Sequence, residues 1–299
     1  MNKIIGADIG GTRVRCGAVS EKGTLTAFEI KATADFMKNS TFLEGFVDYL
    51  AAFASKHQST GISAGFPSTI DKKRRVLLST PNIPGLDNVP IADILESRIN
   101  GSVWIDKDVN HLLLCDMARL NLPHDLDILG FYIGTGFGNA IFMNGKLVHG
   151  AHGAAGELGH IPFRNMKECC SCGNTGCSEI YASGKALKNI RDIHFPDTAL
   201  EEIFNCHLQH EAIETFIDDL AITIAAEINI LDPDCIIIGG GLPQMKGFPF
   251  KMLEKKILSC ARKPYPAEGL VIHYSKGDQT DGVVGAAING FRLGGLAYG

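Results

Sequence analysis

The stretch "ECCSCGNTGCSE", Glu168 to Glu179, holds four of the chain's nine cysteines, and just upstream "GELGHIPF" sets Glu157 and His160 three residues apart. His160, Cys170, Cys172 and Cys177 make a Cys3His set, which suits the tetrahedral coordination of zinc, and "GNTG" between the cysteines supplies tight turns that bring the sulfurs together. Cys169, next to Cys170, is the spare. Four protein ligands would close the shell, so such a metal is structural rather than a Lewis acid. A loop of free thiols is the other reading of the same residues. Glu157 and Glu179 flank the set, and a zinc-bound imidazole keeps a second ring nitrogen. Carboxylates and an imidazole N–H are the groups that a sugar's hydroxyls need.

A further acid pair lies in "WIDKDVNHLLL", where an apolar strand ends in Asp106 and Asp108 and Asn110 opens a helix. Asp108 can serve as an N-cap, where Asp is favoured, or as a general base within reach of a hydroxyl. Three glycine turns complete the set: Gly10, Gly11 and Thr12 in "DIGGT", Gly134, Thr135 and Gly136 in "GTGFG", and Gly239, Gly240 and Gly241 in "IIIGGG". Without a Cβ such turns let backbone N–H groups approach anionic oxygens. Each alone also reads as a plain tight turn, and the third as close helix–strand packing. No GxxxxGK[ST] or complete GxGxxG occurs. Asp8, at a strand end before the first turn, can hold Mg²⁺ beside phosphates, since Mg²⁺ prefers oxygen ligands.

The elements that must carry these residues alternate. Apolar strand-like runs ending in glycines recur near residues 4, 62, 131 and 236, separated by helical periodicity over Thr41–Lys56, Ile91–Asn100, Val109–Leu120, Ser183–Ile193 and His210–Leu231. This is an α/β pattern. "IIGADIGGTRVRCGAVSEKGTL" and "ILGFYIGTGFGNAIFMNGKLV" share an order of strand, glycine turn, strand, "KG" or "NG" turn, strand, which predicts a duplicated fold with a cleft between the halves.

With 299 residues, 45% hydrophobic and 20% charged, the chain can bury a sizeable core. A net charge of −5 leaves no footprint for nucleic acid, and the one basic cluster, "KKRR" at Lys72 to Arg75, reads as a solvated turn. No signal peptide or membrane-length apolar run is visible. The expected location is cytoplasmic, where thiols stay reduced, and an odd cysteine count fits disulfides poorly. Cys16, Cys115, Cys206, Cys235 and Cys260 read as core fillers.

Taken in order, "DIGGT", "GTGFG", "GELGH", "CSCGNTGCSE" and "IIIGGG" resemble the ROK family of bacterial sugar kinases and repressors across nearly the whole chain. The resemblance implies the actin-like, ribonuclease H-like ATPase fold, two α/β lobes around a central cleft, and a homodimer. A small lobe over residues 1–113, completed by a C-terminal helix at 282–299, and a large lobe over 114–281 bearing the zinc loop are the expected domains. It also implies zinc on His160, Cys170, Cys172 and Cys177. Hexose contacts would come from Asn82, Lys107, Asp108, Glu157, His160 and Glu179. ATP with Mg²⁺ would lie at Asp8, Gly10, Gly11, Thr12, Gly134, Thr135 and Gly136, with Gly239, Gly240 and Gly241 near the adenosine. Asp108 becomes the catalytic base that takes the proton of the sugar's 6-hydroxyl. Family repressors carry a helix-turn-helix domain before the first phosphate motif, and here that motif begins at Asp8, so a kinase is expected.

One position departs from the pattern of the family's glucokinases, which carry Asn where this chain has Lys107. Asn donates and accepts, whereas Lys only donates and reaches further. The allose kinases of the family are similar in placing a basic residue there and in "STPN", "DVN" and "GAHG.AGELGHIP" stretches. The expectation is 6-phosphorylation of D-allose, the C3 epimer of glucose. The alternatives are another hexokinase of the family (glucokinase, fructokinase or N-acetylmannosamine kinase) and a non-catalytic sugar sensor.

Overall fold

"KIIGADI", and "RVRCGAVS" from Cys16 to Val19, are continuous enough in apolar and small residues to need cover on both faces, whereas the alternating "LTAFEIKA" suits a strand open on one side. In a computed structural model, which describes residues 2–38, 41–163 and 167–295, they form β1 (Lys3–Ile9), β2 (Arg13–Ser20) and the edge strand β3 (Leu25–Ala32). Helix α1 (Phe42–Lys56) starts where Thr41 accepts the Glu44 N–H and Glu44 accepts the Thr41 N–H in return. Such reciprocal capping satisfies two N–H groups that the start of a helix otherwise leaves unpaired. There follow β4 (Gly61–Phe66), the short hairpin β5 (Thr69–Ile70) and β6 (Leu77–Ser79), α2 (Ile91–Glu96), β7 (Ser102–Lys107) and α3 (Asp108–Arg119).

The chain continues through β8 (Ile128–Ile133), β9 (Phe137–Met143) and β10 (Lys146–Leu147), then α4 (Gly184–His194), α5 (Ile203–His207), α6 (Glu211–Leu231), β11 (Cys235–Gly239), α7 (Phe250–Cys260), β12 (Val271–Tyr274) and α8 (Asp281–Leu293). The two main sheets repeat one plan. The first has the order β3-β2-β1-β4-β7 and the second β10-β9-β8-β11-β12. In each, the opening three strands pair antiparallel and the next two add in parallel. The Asn144-Gly145 turn has φ of 52° and 73°, the left-handed pair that a tight hairpin turn takes.

Two compact units result. One comprises Met1–Pro123, His149–Ala155 and Asp278–Gly299, the other His124–Val148 and Gly156–Gly277. The first is built on a core of Ile5, Phe46, Leu50, Phe66 and Ile105, the second on Phe131, Phe204, Phe216, Ile224 and Ile238. Within the first unit, α8 packs against α3, β1 and β4. The boundary expected between 113 and 114 falls inside α3, whose apolar face is continuous there. The segment expected as a C-terminal helix, 282–299, is helical to Leu293, and its last four residues lie outside the described ones.

Helix α2 stops at Glu96, short of the expected Asn100, because the Ser97 hydroxyl donates to the Ile94 carbonyl and the chain turns into β7. Ser183 and His210, expected as helical, are the N-caps of α4 and α6, accepting from the Ala186 and Ala212 N–H groups. Helix α7 and strand β12 had no counterpart in the sequence reading. Cys16, Cys115 and Cys235 are buried as expected, but Cys206 and Cys260 are exposed. Cys206 lies next to the end of α5 and Cys260 at the end of α7, and the core-filler reading fails for both. No helix among the described residues is long and apolar enough to cross a membrane.

Candidate active site

In the first unit the Gly10–Thr12 turn links β1 to β2. It is closed by Gly10 N–H donating to Arg13 O at 2.9 Å and pinned by Thr33, whose hydroxyl donates to Gly10 O at 2.7 Å and whose N–H donates to Thr12 O at 2.9 Å. These bonds consume loop carbonyls, which leaves the exposed Gly11 and Thr12 backbone to present N–H groups. The loop bearing Asn82 rests on Gly11, where a Cβ would lie 3.1 Å from Asn82 O. Asp8, at the C-terminal end of β1, accepts from Arg15 at 3.0 Å, and burial raises its carboxyl above the usual range. A hard oxygen donor beside a phosphate-type turn fits Mg²⁺, with Arg15 as the group that now occupies one of its oxygens.

Asp108 begins α3 directly after β7. It is not the N-cap; that position is Lys107, which makes no side-chain cap bond, and Asp108 Oδ1 accepts the neighbouring Val109 N–H at 2.8 Å. Burial and the nearby negative charge of Asp8 push its carboxyl up to about 6. Such a group is ionised at neutral pH and still a competent proton acceptor. Lys107 is buried to 9% exposure, and its ammonium donates to Ala155 O at 3.1 Å.

In the second unit the Gly134–Gly136 turn links β8 to β9. Gly134 N–H donates to Gly136 O, and the first amides of α4 take the loop's carbonyls, Gly184 N to Gly134 O at 2.8 Å and Lys185 N to Thr135 O at 3.1 Å. The Gly239–Gly241 turn ends the adjacent strand β11. Its Leu242 N–H donates to Ile133 O at 2.9 Å, so both turns stand at the same C-terminal edge of the parallel pair β8/β11. Ligands in open α/β sheets favour that edge.

The cysteine loop lies in the same unit. His160, Cys170, Cys172 and Cys177 each offer a ligand atom within 4.8 Å of the others. Cys170 Sγ is 3.6 Å from His160 Nδ1 and Cys172 Sγ is 3.6 Å from Cys177 Sγ. Ligands about 2.3 Å from a tetrahedral zinc lie about 3.8 Å apart, so this donor set fits the ion in both spacing and chemistry. Cys169 stays outside the group. His160 turns Nδ1 to the sulfurs and Nε2 toward Glu157, with 3.8 Å between Nε2 and Oε2. Ser178 ties the loop to this turn, its hydroxyl donating to Leu158 O and its N–H to Ile161 O, each at 2.9 Å. Glu179 follows and accepts the Phe137 N–H at 2.8 Å. A Cβ at Gly136 would meet Glu179 Oε2 at 2.4 Å, so a larger residue there would displace the carboxylate. The carboxylate is thus pressed on the second glycine turn.

The ROK family model matches residues 4–289. The chain belongs to the ROK family. It is 30% identical over 307 residues to the N-acetyl-D-glucosamine kinase of Aliivibrio fischeri, covering 94% of this chain and 97% of that one. It is 27% identical over 277 residues to the glucokinase of Thermotoga maritima, covering 86% and 87%. Among solved structures it is similar to a ROK family glucokinase from Streptomyces griseus in complex with glucose and AMPPNP, with a TM-score of 0.76, 26% identity, and coverage of 96% of this chain and 99% of that one. The fold of this ROK family chain is the actin-like, ribonuclease H-like ATPase fold, to which its two like sheets correspond.

Within the first unit lies a group that the sequence reading missed. Asp106, 2% exposed, receives Arg74, His149 and Asn110, yet "KKRR" was expected to be a solvated turn and His149 carried no signal. Arg74 sits at φ 57°, in the left-handed region, within the turn closed by the Asp71–Val76 and Arg74–Asp71 backbone bonds. Arg75 pairs with Asp93 and Glu96, so half of the cluster is committed to carboxylates.

Proposed function

We propose that this ROK family chain is an ATP-dependent sugar kinase that phosphorylates the 6-hydroxyl of a hexose, with D-allose as the preferred substrate and Asp108 as the general base. The observation that carries the reading is Asp108 itself, a carboxylate held near 6 at the head of α3, in the sheet whose first hairpin bears the Gly10–Thr12 turn. The family match and the kinase names of the relatives support the sugar kinase part.

In this reading Asp108 accepts the proton of the 6-hydroxyl as that oxygen bonds to the γ-phosphorus of ATP; the bond from the γ-phosphorus to the β–γ bridging oxygen breaks, and ADP leaves with that electron pair. The N–H groups of the two glycine turns hold the phosphates, and Asp8 offers an oxygen to Mg²⁺. Bound Mg²⁺ would neutralise charge on the phosphate oxygens. Asn82, Lys107, Glu157, His160 and Glu179 orient the hexose. His160, Cys170, Cys172 and Cys177 would hold a structural zinc, which would fix the His160 ring and leave its Nε2 for a hydroxyl. The chain's own contribution is then mainly positioning and charge stabilisation.

The allose assignment rests on Lys107, a donor-only side chain where the family's glucokinases carry Asn. A panel of D-allose, glucose, mannose, fructose, N-acetylglucosamine and N-acetylmannosamine, read by coupled ADP release, tests it. The expected result is the highest kcat/KM for allose. A higher value for another hexose replaces allose with that sugar, and the glucokinase and N-acetyl-D-glucosamine kinase relatives make those two the competing readings. No turnover with any hexose leaves the sugar sensor.

A further inference from the structure

Asp106 is more fully bonded than any role in the reaction above requires. Its Oδ1 accepts the Lys107 N–H at 2.7 Å, the Asn110 side-chain amide at 2.6 Å and the Arg74 guanidinium, and its Oδ2 bonds His149 Nε2 at 2.8 Å. Together these saturate the acceptor capacity of a carboxylate away from water. The charge is kept: despite the burial that opposes it, the His149 bond and the Arg74 charge hold the Asp106 carboxyl down at about 2.

Two of these partners, Lys107 and Asn110, are close in sequence, and the other two, Arg74 and His149, are distant. Arg74 comes from the β5–β6 hairpin, Asn110 from the first turn of α3, and His149 from the short strap of residues 149–155. That strap is seated closely, since a Cβ at Gly153 would fall 1.7 Å from Ile70 O, and its ends are tied by Ala155 N–H donating to His149 O at 3.0 Å. Ala155 O then receives the Lys107 ammonium at 3.1 Å. A closed ring follows: Asp106 to His149, along the strap to Ala155, across to the Lys107 ammonium, and back through the Lys107 backbone to Asp106. The residue after Lys107 is Asp108.

We infer that Asp106 is a positioning residue that fixes the Lys107 ammonium and the Asp108 carboxylate toward the hexose, acting through Arg74 and the His149–Ala155 strap. The inference rests on the reading of Asp108 as base and Lys107 as hexose contact. A removed anchor would leave the strap and the Lys107–Asp108 step free to shift, and misplacement of about 1 Å is enough to cost on the order of a hundredfold in rate.

Steady-state kinetics on Asp106→Asn and His149→Phe test this, with hexose and MgATP varied separately and Tm recorded. His149 is partly exposed, so its substitution spares the buried ion pair with Arg74. The expected result is a kcat at least about tenfold lower for Asp106→Asn and a hexose KM about three- to tenfold higher for His149→Phe, with MgATP KM unchanged in both. In a Lys107→Met background the effect of His149→Phe on hexose KM should largely vanish, because coupled residues are non-additive. A folded His149→Phe with kcat and hexose KM within about twofold of the parent overturns the inference, as does full additivity with Lys107→Met. Should Asp106→Asn fail to fold, His149→Phe and the double variant decide alone. A parent protein that turns over no hexose defeats the functional reading, and this inference with it; an active parent with silent variants defeats this inference only.

Discussion

Two aspartates two residues apart, Asp106 and Asp108, are driven in opposite directions. Asp106 is held down at about 2 against its burial by His149 and Arg74, while burial and the charge of Asp8 push Asp108 up to about 6. One is fixed as an anion and the other is left able to exchange a proton, a separation that marks a division of roles. The sign of the pH effect follows. The base must be unprotonated, so kcat/KM should fall through pH 6, to about a tenth of its plateau one unit below, in a pH–rate profile. A profile flat to pH 4.5 would remove Asp108 from the role. The Lys107 charge lowers the Asp108 value, so Lys107→Asn should move the acid limb upward as well as shift selectivity toward glucose. Asp108→Asn should cut kcat by about 10²- to 10⁴-fold while hexose binding by calorimetry persists. Asp106 also contributes stability with the opposite sign. Its depressed value stabilises the fold above pH 4 by about 2 kcal/mol, and that stabilisation is lost as pH falls toward 2. The sequence displayed both acids at a strand end and Asp108 as a candidate base, because residue type and spacing are local. It could not display Arg74 or His149, because their meeting with Asp106 depends on a hairpin and a strap brought together only by folding.

At the scale of elements, the cysteine loop and the glycine turn of β8–β9 are joined by one carboxylate. Glu179 accepts the Phe137 N–H at 2.8 Å, so its loss leaves that donor without its partner and the turn without its support. Glu179→Ala should therefore raise the KM for MgATP as well as for the hexose. A change confined to the hexose would make Glu179 a sugar contact with no hold on the turn. Chelation should act differently. The Ser178 hydroxyl, donating to Leu158 O, and the Ser178 N–H, donating to Ile161 O, anchor the Glu179 segment without metal, whereas the His160 ring depends on its sulfur neighbours. Hexose binding should weaken at chelator concentrations that leave nucleotide binding unchanged, and equal loss of both would mean the metal supports the fold at large. The Cys3His spacing, the glycine turns and the strand–turn–strand echo were legible as sequence because each is set within a few residues. The Glu179–Phe137 bond spans 42 positions and has no such signature.

At the scale of the molecule, the sheet order occurs twice and each unit has its own apolar core. Hydrophobic periodicity announced the α/β class and the opening hairpin of each half. It did not announce that residues 149–155 belong with the first unit, since membership is decided by which core a segment meets. Separate cores predict separable unfolding. The chain's one tryptophan is Trp104, in β7 of the first unit, so its emission reports that unit, while far-ultraviolet circular dichroism reports both. A metal on His160, Cys170, Cys172 and Cys177 binds the folded second unit and should raise that unit's midpoint by mass action. Adding a chelator should therefore lower the denaturant midpoint seen by dichroism and leave the Trp104 transition in place. If both signals move together by the same amount, the two cores unfold as a single cooperative body, and the zinc loop stabilises the whole molecule rather than the unit that carries it.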